Sequence, residues 1–396
     1  MRRAKNIVLL VICGLMSFLG CKQPYAPSIT AANGNYLVVE GTINSGADST
    51  LIKLSRTVSL SGKISSKPEL NAIVTVESDQ NTVYVIPETG KGWYAAPALG
   101  LDNTHKYRLR IKTSGGKEYL SDMEAVKPTP PIDSIGYTIQ AKGLNIYANT
   151  HDPTNNTRYY RWDYTETWQF HSLHQSDFIS NGEEIVLRTP EQQIYDCFNS
   201  DTSSSIIVGS SAKLSQDIIY QAPITQIVNT SEKLETKYSI LLKQYALTKE
   251  AFDFWQNLQK NSEKLGSIFD AQPTNLNGNI HCTTNPAEPV IGYISITNPQ
   301  QKRVFITDTQ LPITFSPTYP YQCEQDTFLF CKIIPQSTLG CINQVQADLV
   351  PPGASTIPTS QLFAPGTPTV IGYLGTSVEC TDCTIRGTKI QPDFWR

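Results

Sequence analysis

Cys380 and Cys383, in the step "CTDC", are the pair in this chain whose spacing most invites chemistry. A C-x-x-C step serves as a dithiol redox couple, as half of a zinc site, or as two cysteines bridged to other parts of the chain. Redox use calls for a helix N-terminus that lowers one thiol pKa, and "ECTDCTIRG" shows no helical pattern behind the pair. Zinc needs two further ligands. Cys323, Cys331 and Cys341 would have to supply them against competing oxidation. Structural disulfides drawn from Cys197, Cys323, Cys331, Cys341, Cys380 and Cys383 are the favoured reading, with connectivity left open because spacing does not determine it.

His171 and His174, in "HSLH", have a spacing that shares a metal on a helix. Here they follow a strand pattern with no acidic residue between them, so a surface loop is favoured and no metal is expected. The stretch before them, "RYYRWDYTETWQF" (158–170), is the densest aromatic run. Strand alternation sets Tyr160, Trp162, Tyr164, Glu166, Trp168 and Phe170 on one face, and Arg161, Asp163, Thr165, Thr167 and Gln169 with Tyr159 on the other. The polar opposite face makes the aromatic side the core side, since a long exposed apolar stripe is unfavourable. The Trp168–Phe170 end, next to His171 and His174, is the place where a ligand platform is expected if the row carries one. A buried Glu166 needs a hydrogen-bonding partner, and Arg158 and Arg161 point away from it.

Carboxylates such as Asp133, Asp152, Asp163 and Glu166 are present, but nothing in the sequence pairs them at the separation glycoside hydrolysis requires. The chain has no G-x-S-x-G, no H-E-x-x-H, no phosphate loop and no dinucleotide fingerprint. The expectation is a protein that is not an enzyme and needs no cofactor.

The elements that must position these residues are mostly strands. At 396 residues, 39% hydrophobic and 17% charged, the chain has the composition of a folded exported protein of two or more domains. Its net charge of −3 is spread without a basic stripe, which argues against nucleic acid as a partner. "MRRAK", the apolar run "NIVLLVICGLMSFLG" and then Cys21 read as a signal peptide over 1–20 with a lipobox-like end, Cys21 becoming the lipidated N-terminus. Removing Arg2, Arg3 and Lys5 takes the net charge from −3 to −6. Setting aside Cys13 and Cys21 leaves seven cysteines, an odd number in an oxidising compartment.

Residues 21–33 read as a polar tether. Seven alternating runs between 36 and 122 predict a β-sandwich, immunoglobulin-like or transthyretin-like, over 34–127. "KPTPPID" predicts a stiff linker at 128–133. A larger β domain, 134–396, follows. It opens with a hairpin of "IGYTIQ" and "GLNIYANT" and carries one helix near 248–265, with Leu247, Ala251, Phe254, Trp255 and Leu258 on one face, Thr248 as N-cap and Gly266 as stop. "PTNLNGNIHCTTNPAEP" (273–289) predicts turns, and "VIGY" at 290–293 and 370–373 is too short to claim a repeat.

The blocks "YRWDYTETW" (160–168), "SILLKQYALTKEAFDFWQNLQKNSEKLGSIFDAQPTNLNGNI" (239–280), "VIGYISI" (290–296) and "CTDCTIRGTKIQPDFW" (380–395) resemble the signature blocks of the Bacteroidota lipoprotein family known as domain-of-unknown-function family 4249. The resemblance implies a lipoprotein of the outer membrane, anchored through Cys21 and serving as accessory subunit of a TonB-dependent receptor, in ligand capture or receptor gating. A stand-alone surface binding protein for glycan or peptide is the alternative, and a hydrolase a third. No catalytic residue is carried over, because the family has no established activity. Against the family pattern "HC" at 281–282 is unusual and marks Cys282 as the odd thiol. Surface-exported relatives often carry acids after the lipidated cysteine, whereas "CKQPYAPS" has Lys22, so no leaflet is assigned.

Overall fold

The computed structural model describes residues 35–58, 66–263, 278–333 and 340–395. Cys21, the expected tether and the expected helix stop at Gly266 lie outside them. The protein is mostly β, built of several open sheets rather than a barrel.

All seven strands expected in the first unit form. With an eighth, Glu88–Gly90, they make two facing sheets. One runs through Leu37–Asn44, Thr50–Arg56, Trp93–Ala96 and Glu88–Gly90, the other through Glu118–Ser121, Lys106–Lys112, Ile73–Ser78 and Val83–Ile86. In Lys106–Lys112 the alternation behaves as it must for a half-buried strand: Tyr107, Leu109 and Ile111 enter the core, while Arg108 and Arg110 turn outward to Glu77 at 2.8 and 2.5 Å.

The expected boundary changes in one respect. Residues 280–297, counted from sequence with the second domain, return to the first sandwich. Ile280–Cys282 extends one sheet beside Glu118–Ser121, and Val290–Ile291 and Ser295–Thr297 pair in parallel with Leu37–Asn44 in the other. Ile280, Cys282, Val290, Ile294 and Ile296 join its core. The Asn- and Pro-rich block at 273–289 therefore contains an edge strand, Ile280–Cys282, where only turns were expected. The gain is a covered edge in each sheet, at Leu37–Asn44 and at Glu118–Ser121, together with added apolar burial.

The linker is not a free spacer either. Thr129 and Pro130 are buried, and Lys127 bridges to Thr297. Thr129 takes its backbone hydrogen bond from its own N–H to Asn298 Oδ1 at 2.6 Å, and its hydroxyl meets that of Thr297 at 2.6 Å. Two crossings between the sandwiches thus lie side by side and share hydrogen bonds.

The second sandwich faces the sheet Ile132–Gln140, Gly143–Asp152, Asp217–Val228 against the sheet Asp196–Thr202, Tyr159–His171, Lys237–Leu247, Gln300–Thr307. The expected hairpin is its first pair, with Gln140 opposite Gly143. The helix runs Lys249–Glu263, capped by Thr248, whose hydroxyl accepts from the Ala251 N–H at 3.2 Å. Ala251 and Phe254 are buried, with Trp255 and Leu258 packed beside them. A third, smaller core (Phe178, Phe328, Val345, Leu349, Val350, Tyr373) lies under the C-terminal sheet Asp326–Leu329, Val370–Ser377, Thr356–Phe363. The two "VIGY" copies sit in unlike places, one on the first sandwich and one central to this last sheet.

Candidate functional site

The aromatic row is core. Tyr160, Trp162 and Phe170 are at most 1% exposed, and Trp168 is buried with its indole N–H donating to Glu232 at 3.1 Å. The platform expected at Trp168, Phe170, His171 and His174 does not form. Phe170 is sealed under the Arg386 guanidinium at 4.6 Å, and His171 stacks on Tyr195 with its Nδ1 on the Ser172 carbonyl. Glu166 is buried, as the row requires, and finds partners from outside the strand: the Tyr238 hydroxyl donates to it at 2.5 Å and the Lys233 ammonium pairs with its other oxygen.

The cysteines of "CTDC" go to different partners. Cys383 bridges Cys197, Cys380 bridges Cys323, and Cys331 bridges Cys341. Cys282 is the free, buried thiol among the described residues. With both C-x-x-C sulfurs committed elsewhere, the step is neither a redox couple nor half of a metal site in this structure. A single turn of helix, Val378–Thr381, surrounds Cys380 where no helix was expected. Among the described residues no group of three or more His, Cys, Asp or Glu is arranged to hold a metal.

The site lies on the other face of the same strand. The outward faces of the two sandwiches, together with the helix, enclose a cleft of about 560 Å3. The first sandwich contributes Glu40 and Thr42 from Leu37–Asn44, whose alternate residues Leu37, Val39 and Ile43 hold the core, together with Trp93. The second contributes Arg161 and Asp163, and across the ladder Tyr245 and Lys243. Arg161 pairs in register with Tyr245 and Asp163 with Lys243, which puts all four on one face. The helix adds Trp255 and Leu258, and the loop before Ile207–Ser210 adds Ser203, Ser204 and Ser205. That loop is pinned to the helix by Gln259, which donates to the Ile206 carbonyl at 2.6 Å.

Arg161 is the most constrained group in the cleft. Its guanidinium carbon lies 4.4 Å from the Tyr245 ring centre and 4.4 Å from that of Trp255, and Nη2 donates to Asp163 Oδ2 at 3.3 Å. Two ring faces hold the fork flat, and Asp163 and the Tyr245 hydroxyl take part of its five donors. Burial, reinforced by the Asp163 charge and opposed by that of Arg161, pushes the Tyr245 hydroxyl well up, so it stays a neutral donor and acceptor at physiological pH. On the facing wall Trp93 is 43% exposed, with Lys53 Nζ 5.7 Å from its ring centre and 2.8 Å from Glu40. Asp48 accepts from Gln301 at 3.1 Å.

A second cavity, about 630 Å3, follows the edge strand Asp217–Val228 beside Leu214, Ile218 and Tyr220, but no charged side chain lines it. The first cleft therefore has the larger set of groups that orient a ligand: an apolar ring floor with a few convergent polar groups, between domains.

The family model described as "Domain of unknown function (DUF4249)" matches residues 22–303. The chain belongs to this family. No curated protein matches it. The family match takes in the first sandwich, the second as far as the middle of its last strand, and every residue that lines the cleft, and it ends before the C-terminal sheet and the tail that carries "CTDC".

Sequence reasoning missed this site because it looked on the aromatic face. The signal was present on the polar one. Arg161 and Asp163 are an opposite-charge pair at strand spacing, and Trp255 falls beyond the most buried stripe of the helix.

Proposed function

We propose that this protein is a non-enzymatic, lipid-anchored binding protein of the outer membrane that captures a ligand in the cleft between its sandwiches, as accessory subunit of a TonB-dependent receptor. The cleft is the observation that carries the reading. Its walls come from both sandwiches, the helix and the serine loop, its central cation is held rigid by two rings, and its polar groups converge on one space. Such an arrangement suits recognition: rigid donors and ring faces give affinity and orientation.

The basic start, the apolar run and Gly20-Cys21 support the lipid anchor. Resemblance to the Bacteroidota members of the family supports the receptor partnership. Confinement to the membrane would raise the effective concentration of captured ligand at such a receptor without any added contact.

The test is a pull-down of the tagged full-length protein from gently solubilised outer membranes beside a Cys21→Ala control. Stoichiometric recovery of a TonB-dependent receptor with the wild type only is the expected result. Wild-type protein that reaches the outer membrane and comes out alone sinks the receptor partnership and leaves a stand-alone binding protein.

A further inference from the structure

We infer that the cleft takes a neutral oligosaccharide, held by ring faces and mixed hydrogen bonds rather than by charge. The inference rests on the ligand-capture reading of the cleft, but not on the receptor partnership.

Three observations point there. The first is charge balance. Glu40, Asp48 and Asp163 line the cleft with Arg161 and Lys243, Lys53 beside the lining pairs with Glu40, and Arg161 pairs with Asp163, so most of these charges are already matched. An ionic ligand would find little net charge to bind to, whereas a polyol, each hydroxyl both donor and acceptor, matches a lining that offers both.

The second is the aromatic floor. Trp93 offers nearly half of its surface to solvent on one wall, and Trp255 lies on another. Flat rings with polar groups at their edges fit the apolar face of a pyranose while the ring-edge hydroxyls reach the polar side chains.

The third separates a sugar from a peptide. An extended peptide is best recognised through unpaired backbone groups at a sheet edge. The strands at the centre of this cleft have few to give, and the open edge of Gln300–Thr307 reaches the lining only through Gln301. Leu37–Asn44 pairs with Thr50–Arg56 on one side and, at its two ends, with Val290–Ile291 and Ser295–Thr297 on the other, while Trp93–Ala96, Tyr159–His171 and, as far as Gln244, Lys237–Leu247 have partner strands on both sides. The cleft presents chiefly side chains: the Lys243 ammonium, the Arg161 guanidinium, the carboxylates and the serine hydroxyls.

The experiment is calorimetric titration of the full-length protein, in a detergent without a sugar headgroup, with a panel of neutral oligosaccharides of glucan, xylan, mannan and galactan type. A galacturonate trimer and an unstructured hexapeptide are the comparisons. Trp93→Ala and Lys243→Gln are titrated alongside, each first shown to keep the wild-type urea midpoint within error. Lys243→Gln serves if the tryptophan variant fails to fold. The expected result is saturable binding of at least one neutral sugar, weakened at least fivefold by either variant, with the galacturonate trimer no tighter. Absence of binding across the neutral panel overturns the inference. So does preference for the acidic sugar or the peptide, and so does sugar binding that both variants leave unchanged. None of these outcomes touches receptor co-purification, so failure here and failure of the receptor partnership are read separately.

Discussion

The indole N–H of Trp162 donates to Gln244 Oε1 at 2.8 Å inside the core of the second sandwich, where both side chains are essentially inaccessible. Gln244 spends its own amide protons on the Pro130 carbonyl at 2.8 Å and Thr150 Oγ1 at 2.9 Å. One buried carboxamide therefore joins the aromatic row to the proline strap between the sandwiches, and a buried polar group earns its place only when satisfied in this way.

Gln244→Leu leaves the Trp162 N–H and the Pro130 carbonyl without these partners in an apolar interior. The cost of orphaning two such groups is about 3 kcal/mol. Urea denaturation should show a lower midpoint at unchanged slope. Trp162→Phe carries a cavity cost of its own, so the coupling shows in a double-mutant cycle, where the loss in the double variant should fall short of the sum of the two single losses by about 1 kcal/mol. A Gln244→Leu protein as stable as wild type would show that the carboxamide does not hold the strap.

The seven short strands of the first sandwich, the hairpin at 132–152 and the helix near 250 were legible because local alternation and period govern them. Tyr107, Leu109 and Ile111 declare their face without outside help. The return of Ile280–Cys282 and Ser295–Thr297 to the first sandwich was not legible, because pairing across some 160 or more residues leaves no local mark. The partners of Glu166 were hidden for the same reason: Tyr238 and Lys233 are brought in by a strand and a turn far along the chain. The cleft was missed because a polar strand face reads as solvent-facing until another domain is placed opposite it.

Glu166 gives a second test. It is 3% exposed, and among the described residues only Tyr238 and Lys233 are recorded as its partners. Lys233→Met strands a buried carboxylate on a single hydroxyl, with an expected loss of about 3 kcal/mol. Glu166→Gln in the same protein should recover a large part of that loss, because the amide no longer carries the uncompensated charge. Strict additivity of the two changes in a double-mutant cycle would show that the pair is not coupled.

The disulfides divide by the length of chain they close. Cys197–Cys383 spans 186 positions and fastens the tail to the second sandwich, whereas Cys331–Cys341 spans 10. In the chain-entropy view the longer loop is worth ~2–3 kcal/mol more. Paired Cys→Ser substitution at 197 and 383 should therefore lower the thermal midpoint further than substitution at 331 and 341. An equal or reversed order would indicate that the tail is held by its packing, for instance Trp395 edge-on to Phe198 at 5.3 Å, rather than by the covalent tie.

Glu288 links the returning segment to the first sandwich. Its Oε1 accepts from the Tyr119 hydroxyl at 2.6 Å and lies 3.5 Å from Arg56, and its Oε2 pairs with Lys117. Burial alone pushes this carboxyl up, but the hydrogen bonds from Lys117 and Tyr119 and the nearby charges outweigh it, and the net position is below the ordinary 4.5. A carboxyl held lower in the folded protein than in the unfolded chain stabilises fully above about 4.5, and that stabilisation fades as pH falls through the lower folded value. Glu288→Gln should cost about 2 kcal/mol near neutral pH, where the charged hydrogen bonds are intact in the wild type. The difference between the two urea midpoints should then shrink steadily from pH 5 to pH 3, because acid removes from the wild type the same charge that the substitution removes outright. A difference that stays constant across that range would mean that the glutamate contributes shape and hydrogen bonding but no charge, and that the grip of the 280–297 segment on the first sandwich is apolar.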